Sequence, residues 1–191
     1  VTRSELLRQP GVLGVAPVVE GQGLLVADGE LTGIAFRGID PEFESTVSIL
    51  PEFVEDGVLA QLASTRYGTI LGAELARQLG VSRGDQISLV LPDVGFSLTG
   101  PVVTTRRLTV LGTFEVGADI DKTHIYLSIS DAQKLKRQSG IDGLVVRIPD
   151  LFDIHRVLHG ISLADPSLYG ISWMRQNGSL YNAIGTQKAP L

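Results

Sequence analysis

The first forty residues alternate between short apolar runs and turn residues, a pattern typical of antiparallel strands. Apolar runs cover residues 12–19, 23–27 and 31–39, and Asp28-Gly29 separates the last two. Both central residues of a type I′ turn need positive φ, so an Asp-Gly pair between apolar runs predicts a β-hairpin. A capping-box spacing from Thr2 to Glu5 predicts a short helix before these strands.

The pattern changes after Pro41. Residues 41–62 combine prolines with scattered Leu, Val and Phe, which favours short helices and turns over strands. Residues 68–72 predict a buried strand that enters a helix over 73–79, and Gly80 predicts the end of that helix. A loop over 92–105 joins the first two of the strands that follow. These strands are predicted over residues 86–91, 107–111 and 124–129.

The last third of the chain returns to a strand–helix–strand order. A second capping box, Ser130 to Gln133, predicts a helix that ends near Gly140. The elements predicted after it are a strand over 143–148, a helix from Pro149-Asp150 and a strand over 169–174. The order predicts an α+β fold of two lobes. Residues 1–40 and 141–191 would form a ferredoxin-like βαβ lobe, and residues 41–140 an inserted β-rich lobe.

Composition narrows the class of function. The chain has 191 residues, 43% of them apolar, with a net charge of −5 and no cysteine. An acidic chain without a basic run lacks the electrostatic footprint of nucleic-acid binding, and the missing cysteines exclude disulfides and thiolate sites. Met174 is the only methionine and the chain begins at Val1. Either a signal peptide has been removed or the chain is a piece of a longer protein. We expect the excised piece, because the chain begins directly at a helix cap.

Two sets of side chains have the spacing of metal ligands or paired carboxylates, but neither is a strong candidate for a functional site. His155 and His159 have the spacing of zinc ligands on a helix, but the glutamate of a zinc protease is replaced by Arg156. Solvated surface histidines are the better interpretation. Asp119 and Asp121 are paired carboxylates in a polar segment, for which a solvated turn is the stronger hypothesis. The sequence has no phosphate-binding loop and no nucleophile elbow, so no cofactor is expected.

The predicted loop over 92–105 is unusual because it is long and apolar. It carries Phe96, Leu98, Val102 and Val103 and leads into Arg106-Arg107. One interpretation is a β-hairpin whose apolar residues cover its own lobe. The other is an exposed apolar finger for a partner, with the arginines at its base. The residues alone leave both interpretations open.

Several motifs resemble one family closely. They are Gly38-Ile-Asp-Pro41, Leu50-Pro51 with Gly57 and Leu59, the segment from Tyr67 to Asp85, and residues 108–114 and 129–135. Together they resemble the periplasmic domain of the permeases LolC and LolE of the lipoprotein-releasing ABC transporter, within the wider MacB-like superfamily. The resemblance runs from Pro10 to Tyr181.

The resemblance implies a location, an architecture and a set of partners. Members place this domain in the periplasm of Gram-negative bacteria, between the first two transmembrane helices of an inner-membrane protein. It has a βαβ Porter lobe and an inserted Sabre lobe. The transporter extracts lipoproteins from the inner membrane and passes them to the periplasmic chaperone LolA. A partner permease and the cytoplasmic ATPase LolD complete it, so the domain itself is expected to be neither an enzyme nor a cofactor carrier.

The resemblance also implies a contact site. In LolC a protruding hook captures the chaperone, and residues 92–105 occupy the corresponding place. Phe96 and Gly100 keep the spacing of a hook, and Arg106 falls where a patch arginine would. Pro101 and Val103 depart from the usual arginine and proline. The predicted chaperone-binding set is Phe96, Leu98, Gly100, Pro101, Val102, Val103 and Arg106.

Alternatives to this assignment concern both the subunit and the class of protein. The segment 173–181 looks like LolC, whereas 150–152 looks like LolE, which favours LolC or a hybrid of the two. A MacB-type efflux subunit that contacts an adaptor protein is the main rival. A hydrolase with a site around Asp119, Asp121 and His124 is the second rival, although no hydrolytic activity is expected.

Overall fold

The computed structural model describes residues 3–97, 100–149 and 154–164, with the backbone alone for 93–97, 100–102 and 164. Its helices are α1 Arg3–Leu7, α2 Pro41–Val47, α3 Val58–Ser64, α4 Ala73–Leu79, α5 Ile120–Thr123, α6 Ile129–Lys136 and α7 Ile154–Ala164, with a 3₁₀ turn at Leu50–Phe53. Its strands are β1 Gly14–Ala27, β2 Glu30–Ile39, β3 Gly68–Gly72, β4 Gln86–Ser97, β5 Gly100–Phe114, β6 His124–Ser128 and β7 Gly143–Arg147.

The N-terminal hairpin follows the predicted turn. Asp28 and Gly29 have φ values of 47° and 86°, and the register pairs Ala27 with Glu30. Instead of the two predicted strands, residues 14–27 form one. Gly21 continues the strand because its missing Cβ leaves room for the Phe36 ring, which lies 2.3 Å from where that Cβ would be.

Six strands close into a ring. β1 pairs with β2, β2 with β6, β6 with β3, β3 with β5, β5 with β4, and β4 returns to β1. The closing contact is short and pairs Leu24–Val26 with Ser88–Val90. β7 adds to the first residues of β1 outside the ring. Closing a sheet on itself removes the unpaired strand edges of an open sheet.

Apolar side chains fill the ring from one face of each strand and from two helices. Fully buried members include Leu25, Phe36, Leu71, Leu89, Leu108 and Ile125, and α4 and α6 contribute Leu75, Leu79, Ala132 and Leu135. A second cluster lies on the outer face, where α3 adds Val58 and Leu62 and the 3₁₀ turn adds Leu50. There the Phe114 and Tyr126 rings meet edge to face, with centroids 5.1 Å apart.

Motifs that look distinctive in the sequence lie at junctions between elements. In Gly38-Ile-Asp-Pro41, Asp40 caps α2 by accepting a hydrogen bond from the Glu42 N–H (3.0 Å), and Pro41 is the first helical residue. Gly80 ends α4 with φ 64° as predicted. The cap predicted at Ser130 is wrong. Ser128 caps α6 through the Asp131 N–H, because β6 runs directly into this helix.

The α+β class predicted from the sequence is confirmed. The chain divides into one unit of residues 14–147 and another formed by 1–13 and 148–191. The lobe boundaries predicted at 40/41 and 140/141 stay a prediction. In the structure, β1 and β2 hydrogen-bond to β4 and β6 of the middle segment. The final strand predicted at 169–174 lies outside the described residues, and the ferredoxin-like lobe stays a prediction. None of the helices in the described ranges has the length and hydropathy of a membrane span.

Candidate functional site: a two-stranded arm and its base

The described parts of the segment predicted as a loop are strand. β4 continues to Ser97 and β5 begins at Gly100, so residues 92–97 and 100–105 form a two-stranded extension, here called the arm. β1 pairs with β4 only as far as Val90, and β3 pairs with β5 only from Thr109 onward. Within the described register, the arm strands therefore pair with each other alone. The sequence indicated a loop because Pro92 and Pro101 interrupt it, but proline is tolerated where no neighbouring strand needs its missing N–H.

The register brings several predicted contact residues together in pairs. Phe96 lies opposite Pro101, Ser97 opposite Gly100, and Pro92 opposite Val103, with an irregularity between Pro92 and Phe96. Leu98 lies outside the described residues. Val103 is 57% exposed, as expected for a residue in a ribbon without a third strand.

Arg106 lies on the opposite face of β5 from its neighbour Arg107, because successive strand residues alternate. Its guanidinium carbon is 5.5 Å from the centre of the Tyr67 ring, a cation–π contact. Arg66 approaches the same ring, with its guanidinium carbon 5.6 Å from the centre. The sequence indicated Arg106 as a contact residue but not Arg66 or Tyr67, which lie about forty residues away in the chain.

Tyr67 is fixed by its backbone at the start of β3. Its φ is 53°, its N–H donates to Asp131 Oδ2 (2.7 Å), and its carbonyl accepts from the Thr109 N–H (3.0 Å). The Asp131 side chain is buried, and the Tyr67 ring is half-buried against the inner core. The signal available in the sequence was a large residue directly before Gly68, where the chain turns into a buried strand.

The carboxylate of Asp121, on which the hydrolase alternative depends, is occupied by backbone hydrogen bonds. Asp121 is buried, and its carboxylate oxygens accept the N–H groups of Val116 (3.0 Å), Gly117 (2.7 Å) and Ala118 (3.3 Å). The solvated-turn interpretation is thus wrong for Asp121, which holds its own turn together, and right for Asp119, which is exposed.

Histidine side chains in the described ranges do not complete a reactive site. His124 Nδ1 lies 2.9 Å from the Thr123 hydroxyl, and burial lowers the pKa of its ring, helped by Arg37. His155 and His159 are exposed on α7, which confirms their interpretation as surface residues. No group of three metal-ligating side chains occurs in the part of the chain that the structure describes.

A family model described as the MacB-like periplasmic core domain matches residues 2–161. The chain belongs to this family. Solved structures of such domains share the fold. The periplasmic region of MacB from Actinobacillus actinomycetemcomitans superposes with a TM-score of 0.55 at 12% identity, covering 85% of this chain and 72% of that one. The extracellular domain of the ABC-type transporter YknZ from Gram-positive bacteria gives 0.53 at 14%, covering 81% and 75%.

Sequence relatives of this MacB-like domain belong to lipoprotein-releasing systems. The transmembrane protein LolC of Xylella fastidiosa (strain 9a5c) is 32% identical over 186 residues, covering 95% of this chain and 44% of that protein. LolC of Neisseria meningitidis serogroup B is 30% identical, covering 73% and 34%. LolE of Haemophilus influenzae is 22% identical, covering 94% and 44%.

These matches confirm the predicted resemblance to LolC and LolE. The chain is a periplasmic domain of an inner-membrane protein, and the relatives are transmembrane proteins of lipoprotein-releasing systems. The chain spans less than half the length of the curated relatives it matches.

Proposed function

We propose that this domain belongs to a permease that releases outer-membrane lipoproteins from the inner membrane and transfers them to the chaperone LolA. ATP hydrolysis takes place in a separate subunit, LolD, and a second permease completes the membrane part. Identity of 30–32% to LolC, against 22% to LolE, supports a LolC-like subunit or a hybrid of the two.

The arm is the observation on which this proposal rests. An isolated two-stranded ribbon is marginally stable in water. The arm is such a ribbon and exposes Val103, so contact with the surface of another protein would stabilise it. The contact set is the one predicted from the sequence: Phe96, Leu98, Gly100, Pro101, Val102, Val103 and Arg106. Its apolar residues enter or border the lipid-accepting cavity of the chaperone, and the arginine orients the complex by charge.

The proposed mechanism is mechanical. Closure of the membrane helices, driven by ATP in LolD, moves this domain and presses the lipid-modified cargo toward the chaperone held by the arm. The domain binds and positions but performs no covalent chemistry.

The test is binding of the domain to LolA of the same bacterium by surface plasmon resonance. The double variant Phe96→Asp/Val102→Asp should abolish binding, because two carboxylates would have to be buried in an apolar contact. Leu31→Asp is the matched control, since Leu31 is 61% exposed in the other hairpin of the ring. It should bind like the unaltered domain.

The alternatives give different results in the same experiment. Absence of binding by the unaltered domain would overturn chaperone capture and favour a LolE-like role that faces the cargo. Binding of an efflux adaptor protein instead of LolA would favour the MacB-type alternative.

A further inference from the structure

The negative charge of the chain is concentrated in one segment. Residues 38–65 contain six aspartates and glutamates and no lysine, arginine or histidine. Because the net charge of the whole chain is −5, the remaining residues are close to neutral. The segment forms α2, the 3₁₀ turn and α3, and α2 contacts both of the others. These three elements therefore make one acidic helical layer, here called the acidic layer.

An open groove of about 550 Å³ lies in the acidic layer. Its apolar lining consists of Pro41, Pro51, Val54, Leu59, Ala60 and Ala63. Val54 and Leu59 also pack against the outer core, which anchors the floor of the groove. Ala60 and Ala63 are exposed, and their small side chains leave the space above them open. The volume lies within the range of about 300–1,000 Å³ that is typical of binding pockets.

Carboxylates supply much of the polar lining of this groove. They belong to Asp40, Glu42, Glu55 and Asp56. Asp40 caps α2, and Glu55 pairs with Arg83 (3.4 Å). Glu42 and Asp56 are exposed and form no salt bridge with the residues that the structure describes. Negative charges beside an apolar floor complement a ligand that combines cations with apolar side chains.

The groove is separate from the arm. Val54, which lines the groove, forms a β-bridge with Phe114, the last residue of β5. The arm contains the first residues of the same strand, from Gly100 onward. Groove and arm therefore lie at opposite ends of β5 and share no residue.

We propose that the groove is a docking site for a basic amphipathic protein segment, in which lysines or arginines flank a few apolar side chains. The apolar side chains of the segment lie on Leu59, Ala60 and Ala63, and its cations pair with Glu42 and Asp56. Apolar anchors give such a contact most of its affinity, and complementary charge gives it orientation and specificity. The site goes beyond the function proposed above, because neither the arm nor the chaperone takes part in it.

The first test titrates the 191-residue chain with a short peptide of lysine and leucine whose leucines share one helix face. At low salt, the backbone NMR signals of Glu42, Asp56 and Ala60 should shift to saturation. One control peptide replaces lysine by glutamate, and a second replaces leucine by serine. Neither should saturate these signals. If the lysine–leucine peptide leaves them in place, or if the lysine–serine peptide shifts them equally, the proposal is overturned.

The second test removes the charge of the groove. Glu42→Gln/Asp56→Asn should weaken binding of the lysine–leucine peptide about fivefold and reduce its salt dependence, since two exposed ion pairs are lost. Glu30→Gln/Asp119→Asn is the matched control, because it removes two exposed carboxylates outside the groove. It should bind like the unaltered chain. Equal weakening by both double variants would mean attraction to the overall charge alone and would overturn the proposal.

The third test fills the groove without changing its charge. Ala60→Gln adds a bulky polar side chain at an exposed helical position of the lining, and it should weaken peptide binding at least fivefold. Ser64→Gln adds a similar side chain to α3 outside the lining and should have no effect. Peptide binding that survives Ala60→Gln would overturn the groove as the site.

This proposal and the function proposed above fail in different ways. Loss of LolA binding in Phe96→Asp/Val102→Asp concerns the arm and should leave peptide binding at the groove unchanged. Failure of the lysine–leucine peptide to bind would overturn the groove proposal and leave capture of the chaperone by the arm standing.

Discussion

The carboxylate of Asp121, which looks reactive in the sequence, has a structural role. Asp121 receives three backbone N–H groups from the turn before it, and its own backbone lies against Gly72, where an added Cβ would be 2.2 Å from the Asp121 carbonyl oxygen. The sequence offered two aspartates two residues apart with no sign of which one is buried. Only the packing of α5 against β3 and α4 separates them.

Replacing Asp121 by Ala should lower the free energy of unfolding by about 2–4 kcal/mol, because three N–H groups lose their acceptor at a partly buried turn. Urea unfolding followed by circular dichroism measures the change. Asp119→Ala is the matched control, since Asp119 is exposed, and it should change stability by less than about 0.5 kcal/mol. Equal effects of both replacements would contradict the structural role of Asp121.

Glu44 is a second buried carboxylate, and it makes stability depend on pH. Burial raises its pKa above the ordinary value of 4.5, against the opposing effects of a hydrogen bond with Ser48 and the charge of Arg37. The folded state therefore favours the protonated form. Above the raised pKa the charged group destabilises the fold, and this penalty disappears as the pH falls to 4.5 and below.

Glu44→Gln should consequently raise the free energy of unfolding at pH 7, by about 1 kcal/mol. The gain should shrink as the pH is lowered and vanish near pH 4, where Glu44 is protonated in both states. Urea unfolding curves of the variant and the unaltered domain between pH 4 and pH 7 measure this difference. A gain that is constant over the whole range, or a loss of stability at pH 7, would contradict it.

At the scale of elements, the family motifs prove to be packing sites. Gly38 lies where α6 crosses β2, and a Cβ there would be 2.3 Å from the Ala132 Cβ and 3.2 Å from the Ile129 Cα. The same glycine precedes the residue of β2 that enters the outer core, Ile39. The residues that carry the resemblance thus join strands to helices in the structure.

Gly38→Ala should destabilise the domain by about 2–3 kcal/mol, because backbone atoms of α6 would have to move. Gly33→Ala is the control in the same strand, since nothing lies within 4 Å of its added Cβ, and it should be neutral within about 0.5 kcal/mol. Thermal unfolding of the two variants side by side provides the measurement. A stable Gly38→Ala variant would show that α6 does not pack this closely.

Local elements were predictable where one or two residues determine the backbone. Asp28-Gly29 specified the turn of the first hairpin, and Gly80 the end of α4. The strands of the arm appeared in the sequence analysis only as one of two interpretations, because glycines and prolines interrupt the sequence. In the structure, the backbone hydrogen bonds between the two sides outweigh that local signal. Position in the hairpin, and not composition, decides the conformation here.

At the scale of the whole molecule, the ring could not be derived from the sequence. Its closure depends on three pairs between β1 and β4, which lie more than sixty residues apart in the chain. The parallel pair of β2 with β6 spans an even longer separation. No local pattern encodes such contacts, and for the same reason the sequence did not indicate that Arg66 and Arg106 meet at the Tyr67 ring. What the sequence supplied was the α+β class, the family and the segment that became the arm.

The ring and the arm should differ in local stability. Strands with partners on both sides open only when the ring opens, whereas a two-stranded ribbon opens alone. Hydrogen exchange should therefore be slow in β3 and β6 and markedly faster in residues 92–105. Addition of LolA should slow exchange in the arm without changing β3. An arm as protected as β3 in the free domain would contradict this division.

The separation of the arm's hydrogen bonds from those of the ring also has an evolutionary consequence. In the described residues, β1 pairs with β4 only as far as Val90, and β3 pairs with β5 only from Thr109 onward. The arm therefore sets the register of β4 with β5 alone and of no other pair in the ring. Substitutions, insertions and deletions in the arm can therefore accumulate without disturbing the core. If the arm contacts the acceptor protein as proposed, changes in this one hairpin would alter the choice of acceptor, and grafting the arm of one relative onto another would transfer that choice.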